Sequence, residues 1–597
     1  MKQKKTAAAL RLCALLLAVA ALSCWFLTQK SGYHLDEGLT LSLANGEGDW
    51  EYRTMFYEPG GLRQFCLDHV FTGGFFSSVS NVFTIGLDFL RNGHDSPWYA
   101  VYCENYAPAL GGMAWVDGTE HFVHHATVTD GSLFSRLLTV YANQANDVHP
   151  PLYYLLLNLV CSFFPGTYSD WYPFVVNLAF LLLSCVMLYR IARRFGGEAL
   201  ALSAVALYGL SCGFVSTAVL FRMYAALTFF CCWALLCHLR LLEEGWRASR
   251  GTACQLVLVN VLGFYTQYYF IIYSVFLALV SLVSMLVCRR GKSALRYLGL
   301  MLLAVCVSLV IWPVSVYHIF GGYRGTEAFA NANLAQFAQH LNEYASILSG
   351  ALLGGSKKLA LALALLFAAA AVFAALRAGK NKPCAEPHCD VRAALVRWLL
   401  VLCPAAGYFF IVMQIAPYQV DRYVMCLYPP LALTLMCVLA FVIRQLCRSK
   451  AVQACALAAA VLALSTFGMR RVGPNYLYRE VTPITDCTDV FDEGPVDLIV
   501  FDSNLSRLFT ELPNYEQVIW LVDSNWNLID ALNGIDFLTA PSNPNAALVV
   551  EIPFVFDAQS LLTIVGEQLN ISVEDAELIR EIPYKGNTYL IRREKAE

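Results

Sequence analysis

The stretch VMCLYPPLALTLMCVLAFVI at residues 424–443 decides the fold class of this chain. It contains no charged residue, and it has the roughly 20 apolar residues that a helix needs to cross the hydrocarbon core of a bilayer. Similar runs, each interrupted by a single arginine, occur at 7–27 and 295–316. Only 14% of the 597 residues are charged, well below the roughly 25% typical of soluble domains. The sequence therefore predicts a mostly α-helical, polytopic membrane protein.

The net charge and the cysteines of the chain indicate neither a nucleic-acid partner nor a disulfide framework. The formal net charge of −3 gives no indication of a nucleic-acid partner. Most of the 21 cysteines lie inside apolar runs, where cysteine behaves as a small hydrophobic residue. No disulfide is therefore predicted.

Basic residues in short loops remain on the cytoplasmic side, and this rule orients the helices. The lysines of MKQKK place the N-terminus inside, ahead of an uncleaved first helix, with lipoprotein-type cleavage before Cys24 as an open alternative. An arrangement of about eleven spans places every basic cluster on the cytoplasmic side. It also places the C-terminus on the extracytoplasmic side of the plasma membrane. The predicted spans are 7–27, 173–190, 199–218, 224–241, 252–267, 269–288, 295–316, 359–376, 394–415, 424–443 and 451–468.

Two long extracytoplasmic segments accompany the transmembrane domain, which is predicted at 1–470. The first, 31–148, is too long for a simple connection and predicts a folded insertion. It leads into a juxtamembrane helix at 149–166, whose tyrosine pair suits the membrane interface. The second, 475–597, alternates β-like and helix-like runs and predicts a small extracytoplasmic α/β domain.

Four polar motifs fall at the outer ends of the predicted spans. They are Asp36-Glu37 after the first span, DVHPP at 147–151, FRMY at 221–224 and YQVDRY at 418–423. A carboxylate there could accept a proton from an attacking hydroxyl or bind a divalent cation. Each motif also has an ordinary structural interpretation: solvated loop carboxylates, a proline-rich helix start, or arginines that snorkel to the interface.

Phosphate binding is the chemistry that the basic motifs would share. His149 precedes two prolines at a helix start, where the helix dipole favours an anion. Arg222 lies close to Tyr224, and Arg422 lies beside Tyr423. A guanidinium in either place could hold phosphate oxygens in a fork geometry that lysine cannot supply.

The segment HFVHH at 121–125 raises a metal site as an alternative. Its histidines at 121, 124 and 125 have spacings that fit one face of a helix. No fourth ligand is implied by the sequence, so no metal ligand is assigned.

Together these motifs resemble the GT-C superfamily of integral-membrane glycosyltransferases. The resemblance rests on an external Asp-Glu after the first helix, a long first loop that ends in His-Pro-Pro, an arginine at the outer end of the third span, and a late Arg-Tyr followed by prolines. It is strongest for glycosyltransferase family 39, the protein O-mannosyltransferase type, together with the bacterial aminoarabinose transferases. The resemblance covers about residues 7–445. It depends on the order of the motifs along the chain and on their common position at the outer face of the membrane.

The resemblance implies an inverting transfer of a sugar from a polyprenyl-phosphate carrier to an acceptor hydroxyl on a glycan, lipid or protein. Asp36 matches the catalytic carboxylate, and Glu37 would support it. The donor phosphate would be held by residues that match the basic motifs: His149, Arg222, Tyr224, Arg422 and Tyr423. No cofactor is certain, and a divalent cation is an open alternative. Met223 and Tyr224 stand where many relatives have an acidic residue, so a second catalytic carboxylate is not expected there.

Two other function classes remain as alternatives. A polytopic protein with polar residues could transport or flip a lipid-linked substrate, although transporters usually place charges near the bilayer midplane. A catalytically inactive relative could bind lipid or serve in an assembly. The predicted spans are nearly free of charge and their polar motifs share one face, which favours chemistry on a membrane-delivered substrate.

Overall fold

The computed structural model describes most of the chain. The described residues are 2–46, 65–92, 95–105, 115–129, 132–321, 323–332, 336–359, 391–501, 509–521, 546–582 and 585–592, with scattered positions between 361 and 372. The chain divides into two compact units. The membrane unit comprises Met1–Thr28, Val148–Tyr153 and Phe174–Asn475, and the sheet unit comprises Gln29–Asp147, Tyr154–Pro173 and Tyr476–Glu597.

Helices dominate the described residues. In chain order they are α1 (Lys2–Leu27), α2 (Leu35–Asn45), α3 (Phe75–Asn92), α4 (Pro97–Asn105), α5 (Gly118–Ala126), α6 (Leu133–Asn146), α7 (Leu152–Cys161), α8 (Trp171–Ala192), α9 (Glu198–Gly209), α10 (Cys212–Val219), α11 (Tyr224–Glu243), α12 (Arg250–Phe264), α13 (Phe270–Val287), α14 (Gly291–Ile311), α15 (Ser315–Phe320), α16 (Tyr323–Asn331), α17 (Phe337–Leu353), α18 (Val391–Ile415), α19 (Tyr428–Leu446), α20 (Lys450–Arg471), α21 (Val490–Glu493) and α22 (Ala558–Leu569). A 3₁₀ segment, Asp421–Leu427, leads into α19.

Eight helices among the described residues are long and apolar enough to cross a membrane. The pair α9 and α10 adds a ninth if its two halves form one broken span. The prediction of a mostly helical, multi-pass protein is confirmed, whereas the count of eleven spans is not. The predicted span 359–376 lies partly outside the described residues, and the predicted span 252–267 is α12, a helix of only 15 residues.

The predicted single span 199–218 is broken, because α9 and α10 meet at an angle of 54°. Ser211 lies at the break, and its hydroxyl accepts a hydrogen bond from the backbone N–H of Phe214 at 3.2 Å. A serine in this position satisfies one of the free N–H groups of a new helix. The cap therefore starts α10 as a separate helix that ends just before Arg222.

The segment predicted as a juxtamembrane helix contains α7, whose ten residues are too few to span a bilayer. The expectation that its tyrosines face the membrane interface is wrong, because Tyr153 and Tyr154 are both fully buried. The Tyr153 hydroxyl donates to Asn177 Oδ1 at 3.0 Å. Burial of a tyrosine is acceptable when its hydroxyl has such a partner.

The sheet unit is built on six strands. They are β1 (Val116–Asp117), β2 (Val496–Val500), β3 (Gln517–Trp520), β4 (Ala547–Pro553), β5 (Glu577–Ile582) and β6 (Gly586–Ile591), in the order β1-β3-β2-β4-β6-β5. The central strand β2 runs parallel to both β3 and β4, and the remaining pairs are antiparallel. The predicted C-terminal α/β architecture is confirmed.

The first long loop contributes to the same sheet. Its strand β1 pairs with β3, with Val116 opposite Val518, and this pairing covers what would otherwise be an open sheet edge. Gly118, which follows β1, has no room for a side chain, because a Cβ atom there would lie 2.3 Å from the Leu512 carbonyl oxygen. Segments that the sequence places in separate extracytoplasmic pieces thus form one compact unit.

A buried ion cluster holds the far edge of this sheet. Arg580 donates to both carboxylate oxygens of Glu511, at 2.7 and 3.0 Å, and to Glu551 Oε1 at 2.7 Å. Its remaining N–H groups reach Thr588 Oγ1 and the Thr482 carbonyl. Burial alone would lower the pKa of Arg580, but the charges of Glu551 and Glu511 outweigh it and raise that pKa. The guanidinium therefore stays charged within the sheet.

We expect Arg580→Met to destabilise the sheet locally, because it leaves the Glu551 carboxylate buried without its cation. Breaking a buried pair in this way costs about 3 kcal/mol, which corresponds to roughly 100-fold faster amide exchange. Hydrogen exchange of β4, β5 and β6 in the full-length protein measures this. Arg592→Met is the matched control, since the Arg592 side chain is 51% exposed; equal exchange in the two variants would contradict the prediction.

Candidate active site

The membrane unit brings His149 and Arg222 into contact. Arg222 Nη2 lies 3.3 Å from His149 Nε2, although the residues are 73 positions apart. A guanidinium has only donors, so Nε2 is the acceptor in this contact. Arg222 is only 4% exposed. Two of the predicted phosphate-binding residues therefore form one cationic and polar group.

Asn177, inside the apolar helix α8, organises this contact. Its amide nitrogen donates to the carbonyl oxygens of Leu220 at 2.6 Å and Ala218 at 3.3 Å, at the end of α10. Its oxygen accepts from the Tyr153 hydroxyl. The side chain thus ties the chain before Arg222 to the chain after His149. A lone polar residue in an apolar span was the available sequence signal, since such residues are rare and usually functional.

Tyr224, Arg422 and Tyr423 form a second group in the same unit. The rings of Tyr224 and Tyr423 meet edge to face at 6.2 Å, and the Arg422 guanidinium carbon lies 5.3 Å from the centroid of the Tyr423 ring. Tyr269, which the sequence did not single out, meets the other side of this group at 5.7 Å from Tyr423. Edge-to-face packing of this kind fixes ring orientation.

The backbone around Arg422 is held by further contacts. The Tyr408 hydroxyl donates to the Tyr423 carbonyl at 2.8 Å. Asn475 Nδ2 donates to Asp421 Oδ2 at 2.8 Å, so the residue before Arg422 is tied to the end of the membrane unit. Tyr408, Asp421, Arg422 and Tyr423 are buried, whereas Asn475 is exposed. Two buried guanidiniums with adjacent tyrosine and histidine groups provide donors suited to a phosphate.

Asp36 and Glu37 belong to the sheet unit and start helix α2. His34 is the N-cap: its Nδ1 accepts from the Asp36 N–H at 3.0 Å, while Glu37 Oε2 accepts from the His34 N–H at 2.6 Å. This is a capping box, in which two free helix N–H groups are satisfied reciprocally. The Asp36 side chain remains 20% exposed, whereas Glu37 is fully buried.

The two carboxylates therefore differ in what they can do. Glu37 Oε2 also lies 3.1 Å from the Lys30 ammonium, so Glu37 is engaged inside the protein. Asp36 is accessible, with Oδ2 at 3.8 Å from His34 Nδ1. A helix N-terminus favours the ionised carboxylate, which is the form that accepts a proton. Of the pair, Asp36 is the residue whose geometry suits a base.

Tyr33, Tyr168 and Asp170 form a polar cluster in the sheet unit near this helix start. The Tyr33 hydroxyl donates to Asp170 Oδ1 at 2.9 Å, and the Tyr168 hydroxyl donates to the same oxygen. Burial, followed by the charge of Asp170, raises the pKa of Tyr33. Both hydroxyls therefore stay protonated, and they hold the backbone just ahead of Asp36.

The histidines of HFVHH lie on helix α5. The rings of His121 and His125 are 4.1 Å apart, centroid to centroid. Within the described ranges, no group of three or more His, Cys, Asp or Glu side chains is arranged to hold a metal ion. Burial, followed by the charge of His124, lowers the pKa of His121 to about 3, and burial also lowers that of His125.

A family model described as dolichyl-phosphate-mannose-protein mannosyltransferase matches residues 148–312. The predicted resemblance is confirmed. The match to this glycosyltransferase family contains His149, Arg222 and Tyr224, whereas Asp36, Glu37, Arg422 and Tyr423 lie outside it, and the roles of all seven residues stay predictions.

Two solved structures are similar to the chain at low sequence identity. ArnT from Cupriavidus metallidurans bound to undecaprenyl phosphate is 14% identical with a TM-score of 0.41, over 74% of this chain and 87% of that one. The oligosaccharyltransferase of Archaeoglobus fulgidus, in a complex with Zn and sulfate, is 11% identical with a TM-score of 0.39, over 74% and 64%. No curated protein sequence matches the chain.

We expect acidification to destabilise the sheet unit through His121 and His125. Their lowered pKa values mean that the unfolded chain binds protons more readily, so stability is present above pH 6.5 and is lost as the pH falls toward 3. Hydrogen exchange of α5 at pH 7.5 and at pH 5 measures this. The variant His121→Gln/His125→Gln should lose the extra acid sensitivity, and an unchanged pH difference in that variant would contradict the assignment.

Proposed function

We propose that the protein transfers a sugar from a polyprenyl-phosphate carrier to an acceptor hydroxyl at the extracytoplasmic face of the plasma membrane, with inversion. The observation that carries this proposal is the pair of buried guanidiniums in the membrane unit, one in contact with His149 and the other beside Tyr423. The family whose model matches residues 148–312, which include His149 and Arg222 but not Arg422, is named for a lipid-phosphate sugar donor.

The membrane unit would bind the donor. Its apolar helices suit a polyprenyl tail, and Arg222, Arg422 and His149 would face the phosphate. When the glycosidic bond breaks, the bonding electrons pass to a phosphate oxygen and negative charge builds up there. Fixed donors in a site of low dielectric stabilise such charge without reorganisation. Tyr224 and Tyr423 would orient the Arg422 plane and offer hydroxyl donors.

Asp36 would act on the acceptor. Its carboxylate would accept the proton of the acceptor hydroxyl while that oxygen forms the new bond to the anomeric carbon from the side opposite the phosphate. A single displacement of this kind inverts the configuration and needs one base. Glu37 would support Asp36 through the capping box, because its own oxygen is engaged by Lys30 and His34.

A divalent cation is an alternative role for the Asp36 carboxylate. In that case the residue would hold the ion rather than take the proton directly. Asp36 would lie at the reacting centre both as a base and as a cation ligand, so substitution of Asp36 tests both roles. Only the cation role predicts that a chelator abolishes transfer.

We expect Asp36→Asn to lower the rate of sugar transfer by about 100-fold or more, because the amide cannot accept the proton and general-base catalysis supplies about 10²–10⁴-fold. The assay uses purified full-length protein in nanodiscs with a panel of radiolabelled polyprenyl-phosphate sugars and follows loss of label from the lipid. Asp575→Asn, an exposed carboxylate of the same unit, should behave as wild type.

The outcomes separate the function classes. Label loss that depends on Asp36 supports the transferase, and loss abolished by EDTA assigns a cation to it. A wild-type protein that moves intact donor between leaflets supports the transport alternative. Binding of donor without cleavage or movement, with every acceptor class added, supports the inactive relative.

We expect Arg422→Lys to reduce kcat/KM for the donor by about 10- to 100-fold, equivalent to the roughly 1.5–3 kcal/mol of a charged hydrogen bond. Lysine keeps the positive charge but loses the planar fork, and with it the contact of the guanidinium with the Tyr423 ring. Steady-state kinetics with a soluble short-chain donor measure this. The exposed Arg448 offers the matched control Arg448→Lys, and equal kinetics for both variants would remove Arg422 from the donor site.

A further inference from the structure

Lys30, which lies in the sequence between α1 and α2, has a buried side-chain ammonium group. The exposure of its side chain is 0%. Its Nζ lies 2.7 Å from the Tyr476 carbonyl oxygen and 3.1 Å from Glu37 Oε2. The rings of Tyr33 and Tyr478 flank it, with centroids at 5.1 and 5.6 Å. Burying an ammonium is costly unless it is paired and hydrogen-bonded, and this setting supplies both a counter-charge and a carbonyl acceptor.

The segment that meets Lys30 has an unusual backbone. Tyr476 and Tyr478 have φ values of 66° and 48°, in the left-handed region that non-glycine residues rarely adopt. Ser31 holds this segment: its N–H donates to the Leu477 carbonyl at 2.9 Å and its hydroxyl to the Tyr478 carbonyl at 2.7 Å. Strained residues of this kind persist only where the surroundings enforce them, and they cluster at functional sites.

The close approach of the two segments leaves no free space. A Cβ atom on Gly32 would lie 2.7 Å from the Tyr478 Cβ. From the C-terminal sheet, the Lys585 ammonium lies 4.6 Å from the centroid of the Tyr478 ring. The chain that enters the C-terminal domain is thus clamped onto the chain that precedes α2.

A continuous series of contacts leads from Lys30 to Asp36. Lys30 holds Glu37 Oε2, the same oxygen accepts the His34 N–H, and His34 Nδ1 accepts the Asp36 N–H. The position of Asp36 therefore depends on a carboxylate that Lys30 fixes and on a carbonyl from the far end of the chain.

We propose that Lys30, together with segment 476–478, is a positioning device for Asp36. It acts through Glu37 and His34 and does not itself touch substrate. The C-terminal domain thereby has a catalytic purpose: it keeps the carboxylate that follows the first span in its working geometry. This inference rests on the function proposed above.

The test compares Lys30→Met with wild type in the donor-cleavage assay. Methionine keeps the apolar stem and removes the ammonium, so Glu37 is left buried without its cation. We expect kcat to fall by about 100-fold, the effect of a displaced catalytic group, while KM for the donor stays within about twofold because donor binding is assigned to the membrane unit. Arg592→Met, an exposed cation of the same unit, should keep both constants.

A second variant keeps the test decisive if Lys30→Met folds poorly. Lys30→Met/Glu37→Gln removes the buried charge while glutamine preserves the capping box. We expect it to recover about tenfold in kcat over Lys30→Met, because the pair was coupled. No recovery in a well-folded double variant, or a loss confined to KM, would overturn the positioning role.

Hydrogen exchange of α2 is the readout that does not depend on activity. Faster exchange at the α2 N-terminus in Lys30→Met, with the double variant closer to wild type, supports the device. If wild type cleaves donor and Lys30→Met matches it in both kinetics and exchange, the inference fails alone. If wild type cleaves no donor, the proposed function fails, and exchange then decides whether Lys30 holds Asp36 at all.

Discussion

The hydrocarbon core of the bilayer is the constraint on which the rest of this protein depends. Backbone groups inside it have no water to bond, so the chain must satisfy them within helices. The long apolar helices satisfy these backbone groups with internal hydrogen bonds, and nearly all of their side chains are uncharged. The charged and titratable residues of the candidate site accordingly lie at the ends of helices and in the segments that join them, as His149, Arg222 and Arg422 do.

Confinement at helix ends also explains how residues far apart in the chain come together. Arg222 follows the short helix α10, and the break that starts this helix is set by the Ser211 cap. His149 precedes α7, which is anchored by Tyr153 on Asn177. One buried amide thus aligns two segments, and a buried polar side chain that is fully hydrogen-bonded specifies such an arrangement strongly.

In the sheet unit, the first long loop and the C-terminal segment form one structure. Strand β1 of the first loop completes the edge of a sheet whose other strands all come from residues beyond 495. The same unit contains the clamp of Lys30 on Tyr476. The start of α2, and with it Asp36, is therefore held by residues of the C-terminal segment, which gives that segment a direct structural connection to the candidate base.

The sequence by itself determined the membrane class, the approximate ranges of the long apolar helices, the presence of a C-terminal α/β architecture and the polar motifs, because apolar run length and strand alternation are local properties. Only the tertiary structure decided that Glu37 is buried under Lys30 while Asp36 is accessible, that Asn177 and Tyr269 join the basic group, and that β1 belongs to the C-terminal sheet. Those outcomes depend on contacts between residues tens to hundreds of positions apart. The local pattern of apolar and polar residues does not predict such contacts, because they arise from packing and from the need to pair every buried charge and backbone group.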